Sequence, residues 1–228
     1  MDKVELMLES ATQQFEELRL ALVREVDPAS ISTISKIPFK ILLARETLLY
    51  RAVDLGEASC MCFKENNIVS GACLSRAFQE TIAVLFYVNR KSKKAILDKD
   101  LHHLDEYTMK VLMGSKDDKS RPDPVNILTM IDRIDKEIPK FRAIYDKLSE
   151  IAHPNWHGTL GIYSSRDKER LMTTLGTNIR LENITRGQGV SALIAGLEVL
   201  VFVYDEFAKF LPQLIQICEN DIEQNETT

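Results

Sequence analysis

Apolar residues recur along most of this chain at three- and four-residue spacing, the period that gathers them on one face of an α-helix. Val4, Met7, Leu8, Ala11, Phe15, Leu18 and Leu22 predict an amphipathic helix over about 2–25, which "DPAS" (27–30) ends. "IPFKILLARETLLYRAVDLGEASCMCFKE" (37–65) predicts a second, long helix, broken by "NNIVSG". A third, over about 69–91, is apolar nearly all round, as befits a helix at the centre of a bundle. A fourth is expected over about 93–113, followed by the polar loop "GSKDDKSRPDP" (114–124). Two shorter helices follow at about 124–137 and 139–152, with Pro139 where a first helical turn tolerates proline.

Residues 158–185 lose the helical period, and "GTLGIYSS" and "RLMTTLG" each have the look of a short strand. A last long helix is predicted over about 188–223, interrupted or kinked at Pro212, with "NETT" as a frayed tail. No repeat and no long linker divides the chain. The expectation is therefore one all-α domain over 1–228, a multi-helix bundle with a small irregular or β-hairpin insertion near residues 158–185.

Composition narrows the classes of function. The chain has 228 residues, enough for a sizeable core, and a net charge of −5 that disfavours a general nucleic-acid or anionic-membrane binder. The basic run "RKSKK" (90–94) reads as a solvated helix terminus, with a local basic patch as the alternative. The apolar run "VSALIAGLEVLVFVY" (190–204) contains Glu198 and is shorter than the roughly 20 residues of a membrane span, so a core helix is expected and no membrane partner. Cys60, Cys62, Cys73 and Cys218 form no C-x-x-C pair. With the acidic N-terminus "MDKVELMLES", which has no signal-like apolar region, they suggest reduced thiols in the cytoplasm.

The most unusual stretch is "YDKLSEIAHPNWHG" (145–158), which holds two of the four histidines and the only tryptophan where a helix meets a proline. Arg142, Asp146, Ser149 and His153 fall on one polar stripe of the preceding helix. His153 stands at the helix end, where backbone carbonyls favour the imidazolium. Either His153, with Asn155 or His157, handles a proton or a phosphate, or it caps the helix while Trp156 plugs the core. A second constellation lies on the central helix, where Arg76 and Glu80 are four residues apart in an apolar segment. Such a pair is costly unless its members find partners or line a cleft. It either fixes the packing or presents Arg76 to an anion or a partner helix, and Glu198 is a further candidate partner. "HHLDE" (102–106) and the His153/His157 pair have helical metal-ligand spacing, but neither supplies three converging ligands, so no metal and no cofactor is expected.

The segments "LSRAFQETIAVLFYV" (74–88) and "YDKLSEIAHPN" (145–155) together resemble the HEPN superfamily of helical bundles. The likeness is greatest to a bacterial branch ending in L-S-x-x-x-H-P, and it covers about 37–155 and part of the last helix. The resemblance implies an α-helical domain that dimerises, with polar motifs near the dimer interface and members acting in toxin, phage-defence or RNA-processing systems. Its active members are metal-independent ribonucleases with an R-x4–6-H motif: a 2′-hydroxyl attacks the adjacent phosphate, histidine moves a proton and arginine stabilises the developing charge. His153 matches the histidine. The matching arginine positions hold Leu148, Lys147 and Asp146 instead. Arg142 is eleven residues away, about 16 Å along a helix.

The residues expected to matter catalytically are thus His153, Lys147, Arg76 and Glu80, and those expected to contact a ligand are Asn155, His157, Ser149 and Asp146. The leading expectation is a HEPN-like module that binds RNA, a nucleotide or a protein partner without turnover, as a homodimer. Its alternatives are a ribonuclease with a rearranged site and a structural dimerising protein.

Overall fold

The computed structural model describes residues 2–176 and 179–226. Thr177 and Asn178 of the expected insertion, and Thr227 and Thr228 of the expected frayed tail, lie outside the described residues. The chain forms an all-α bundle carrying one small hairpin. Its elements are α1 (Lys3–Ala21), α2 (Pro28–Ile31), α3 (Ile37–Lys64), α4 (Ile68–Asp98), α5 (Leu101–Met113), α6 (Ile127–Glu137), α7 (Phe141–Ala152), α8 (Leu160–Tyr163), β1 (Ser164–Asp167), β2 (Met172–Leu175) and α9 (Ile179–Glu226). β1 and β2 pair antiparallel, with Ser164 opposite Leu175.

Helix α4 is the axis of the bundle, packed against α3, α5, α6, α7 and α9. This agrees with its apolar circumference: Phe78, Ile82, Ala83, Leu85, Phe86 and Val88 are all buried. Three buried polar side chains on this axis reach across to neighbouring helices, while Gln79 Oε1 is buried with no hydrogen-bond partner among the described residues. Gln79 donates from Nε2 to the Ala192 carbonyl (2.6 Å), Asn89 from Nδ2 to the Val203 carbonyl (3.2 Å), and Ser59 and Ser75 share a hydrogen bond of 2.9 Å. Breaking any of these three contacts would bury a further unmatched polar group, so they fix the register of α4 against α9 and α3.

Several boundaries differ from the periodicity. The first helix ends at Ala21, and "DPAS" begins the short α2, with Asp27 accepting from the Ala29 N–H. The break expected near residue 92 falls instead between Asp98 and Leu101. There Lys99 adopts a left-handed conformation and Asp100 caps α5 by accepting from the His103 N–H (3.2 Å). "RKSKK" is therefore the body of α4 rather than a terminus. The last helix begins at Ile179, not near 188, and runs through "RGQG". Gly189 is used for close approach: a Cβ there would stand 2.2 Å from Phe63 Cζ, and one at Gly71 of α4 would stand 2.6 Å from the same ring. The two glycines let α4 and α9 close around fully buried Phe63. Pro212 does not interrupt α9. Pro212 and Ala208, four residues before it, are both exposed, so the carbonyl freed by the ring faces solvent.

Candidate functional site

Tyr145 brings Arg76 and Glu80 together. From α7 its buried ring enters the space beside α4, and its hydroxyl accepts from Arg76 Nη2 (3.1 Å) and Nε (3.3 Å) while donating to Glu80 Oε1 (3.0 Å). Arg76 and Glu80 also contact each other at 3.3 Å, and the guanidinium lies 5.3 Å from the Tyr145 ring centroid. Burial opposes the Arg76 charge, but the Tyr145 hydroxyl and Glu80 outweigh it and hold the guanidinium above its ordinary range. The cluster clamps α4 to α7. Glu198 is not among the partners of Arg76; it faces a shallow cavity with Phe86 and Phe202.

At the end of α7, His153 is the C-cap residue, and its backbone N–H donates to the Ser149 carbonyl (3.1 Å). Beyond Pro154 the chain forms a turn stapled by Asn155, whose Oδ1 accepts from the Gly158 N–H (3.1 Å) and whose Nδ2 donates to Glu150 (2.7 Å). His157 Nδ1 stands 3.7 Å from the same Glu150 carboxylate and its ring meets Trp156 edge-on at 5.1 Å. Trp156 is 54% exposed, so it does not plug the core; Leu148, Ile151 and Ile162 fill that position. The Ser149 hydroxyl is buried with no hydrogen-bond partner among the described residues. Asp146 pairs with Arg142 (2.8 Å), which also reaches Asp132 of α6. Lys147 borders a groove of about 480 Å³ between α1, α7 and α9, with Lys3, Met7, Ile144 and Ile184.

The expected residues thus fall into separate groups. Arg76 and Glu80 meet at Tyr145, whereas His153 is eight residues further along α7, about 12 Å at the rise of a helix. His153 is exposed and touches neither of them. No group of three or more His, Cys, Asp or Glu side chains among the described residues is placed to hold a metal ion. His102 pairs with Glu106 (3.4 Å) on the exposed side of α5.

One feature of the surface was only half legible in the sequence. Arg90, Lys91 and Lys94 of α4 face Arg133 and Lys136 of α6 across a cleft of about 600 Å³ floored by Phe86 and Tyr87. Arg90 is neutralised by Glu137 and Glu206 (2.7 Å each) and Lys94 by Asp98 (3.0 Å). Lys91, Arg133 and Lys136 have no carboxylate partner among the described residues. "RKSKK" signalled the α4 half of this cleft. The α6 half, within "IDRIDKE", reads as an ordinary charged helix face until α6 is packed against α4.

Comparison of the chain with protein families, with curated proteins and with solved structures yields no match. Fold and site geometry therefore carry the functional argument. What they define is an all-α helical bundle; no helix among the described residues is long and apolar enough to cross a membrane.

Proposed function

We propose that this protein is a HEPN-like helical module that binds a phosphate-bearing partner, RNA or a nucleotide, without cleaving it. The observation that carries the reading is the separation of the two groups that cleavage needs. Phosphodiester cleavage by a 2′-hydroxyl requires a proton-transferring group and a cation at one phosphate. Here the Arg76 guanidinium is engaged by Tyr145 and Glu80, and His153 stands about two helical turns away. Lys147, beside the groove of α1, α7 and α9, offers a point charge without the planar fork of arginine. Binding has better support than chemistry, because the cleft between α4 and α6 concentrates cations in a chain whose net charge is −5.

Four free cysteines support a reducing, cytoplasmic setting. Self-association is part of the same proposal, supported by the apolar outer surface around the hairpin, where Leu160, Leu171, Met172 and Leu175 are each more than half exposed.

The test is incubation of purified protein with a mixed RNA pool in EDTA, beside His153→Ala, with binding of a labelled oligonucleotide measured in parallel. The expected result is salt-sensitive binding and no 2′,3′-cyclic ends from either protein. Cleavage by wild type that His153→Ala lacks would replace this reading with the ribonuclease. Neither binding nor cleavage would leave a structural role for the Arg76–Tyr145–Glu80 clamp.

A further inference from the structure

We infer that the groove between α1, α7 and α9 is a binding site for a small amphiphilic carboxylate, one anionic head on a flexible hydrocarbon chain. The groove is separate from the cleft between α4 and α6, and the inference does not rest on the phosphate-binding function proposed above.

Three helices build the groove. Its floor is one stripe of α9, where Ile184, Gly187, Gln188, Ser191 and Ala192 follow the three- and four-residue spacing of a helix face. Helices α1 and α7 each pack on α9 and form the walls, with Val4 and Met7 on one side and Ile144 and Leu148 on the other. These four side chains are continuous with the core, yet the space between them is open, at about 480 Å³. Ile184 is 50% exposed at its edge.

Gly187 keeps that space open. Glycine is unfavourable inside a helix, and at Gly189 it allows the close approach of Phe63. At Gly187 a Cβ would meet only Val4 Cγ2, at 3.5 Å, an ordinary contact distance. No packing neighbour requires glycine there; what the missing side chain leaves is the groove itself.

The charges point to the head group. Lys3 borders the groove from α1 and Lys147 from α7, and no Asp or Glu lines it, in a chain of net charge −5. Neither lysine has an ion-pair partner among the described residues. Two ammonium groups beside an apolar floor suit one carboxylate, to which Gln188 and Ser191 can also donate. No arginine fork and no aromatic ring lines the groove, so a phosphate chain or a planar base finds less there than a hydrocarbon does. At roughly 30 Å³ for each small group in a liquid, the groove has room for about a dozen heavy atoms, the size of decanoate.

The full chain is titrated by calorimetry with decanoate, hexanoate and 1-octanol, each below the concentration at which it aggregates. Decanoate is expected to bind about tenfold more tightly than hexanoate, because each further CH₂ leaving water contributes up to about fourfold and this groove covers the chain only in part. The double variant Lys3→Gln, Lys147→Gln should weaken decanoate by about tenfold and leave 1-octanol unchanged. Gly187→Leu puts a side chain into the groove and should abolish decanoate binding at an unchanged or higher urea midpoint. Ser191→Leu, on the same stripe, carries the test if Gly187→Leu lowers that midpoint. Equal affinity for hexanoate and decanoate, or decanoate binding indifferent to both leucine variants, overturns the inference. So does a protein dimer that Gly187→Leu dissociates and decanoate does not bind, which would give the groove to a second copy of the chain.

Discussion

Replacing Tyr145 by phenylalanine deletes one oxygen and leaves a ring that is only 3% exposed in place. The hydroxyl takes hydrogen bonds from the Arg76 guanidinium at 3.1 and 3.3 Å and gives one to Glu80 at 3.0 Å. Each contact involves a charged partner, for which a net 1.5–3 kcal/mol is typical when water is excluded, so the magnitudes are roughly additive only in a dry site. Here the Arg76 and Glu80 side chains keep 30% and 26% of their exposure, so water and the direct Arg76–Glu80 contact recover part of the loss. The expected cost is about 2 kcal/mol. It is read as a lower urea midpoint at unchanged slope. Glu80→Gln and the double variant complete a cycle in which a coupling of at least about 0.5 kcal/mol is expected. RNA binding should not change. A loss below about 0.3 kcal/mol, within the usual scatter of surface substitutions, would refute the clamp. A fall in RNA affinity at full stability would also refute it, because Arg76 would then be serving a ligand.

Two further outcomes follow from buried and paired groups. Burial pushes the Glu206 carboxyl upward, but hydrogen bonds from Lys93 and Arg90 outweigh it and hold it below the usual glutamate range. A depressed folded value stabilises the protein above the unfolded pKa and is lost as pH falls through the folded one, so Glu206→Gln should be less stable near neutrality and lose less between about pH 5 and pH 3; parallel urea-midpoint profiles for the two proteins would contradict this. Burial raises the Cys60 thiol to about 11 and the Cys218 thiol to about 12, and both side chains are almost wholly enclosed. A colorimetric thiol reagent at about pH 8 should modify half-buried Cys62 first and Cys73 more slowly, with Cys60 and Cys218 reacting only after denaturation; four rapid thiols in the native protein would contradict the packing.

The resistance of some features to sequence reading has definite causes. The break after Asp98 depends on a left-handed lysine and a capping aspartate, which carry a weaker local signal than glycine or proline. Glycine disfavours a helix, so "RGQG" (186–189) carries little helical signal of its own, yet Gly189 is needed for Phe63 to fit between α4 and α9. Periodicity gives Tyr145 no more than a place on the apolar face of α7; its hydroxyl gains meaning from Arg76 and Glu80, 69 and 65 residues away in the chain. Trp156, rare and aromatic, looked like a core plug, but the turn that Asn155 staples onto Glu150 carries it outward.

Periodicity by itself determined the all-α class, the central place of α4 and a small insertion near residues 158–185, although Leu160–Tyr163 of the expected strand "GTLGIYSS" form the helical turn α8, with only Ser164 and Ser165 in β1. These depend on contacts at short range, where each side chain's face follows from its neighbours three, four or two positions away. Tertiary structure alone decided which charges meet. It joined Arg76 to Glu80 through Tyr145, left His153 apart from them, and set the lysines of α4 opposite Arg133 and Lys136. Charge partnership is a matter of distance in space, and no period along the chain encodes the packing of one helix against another.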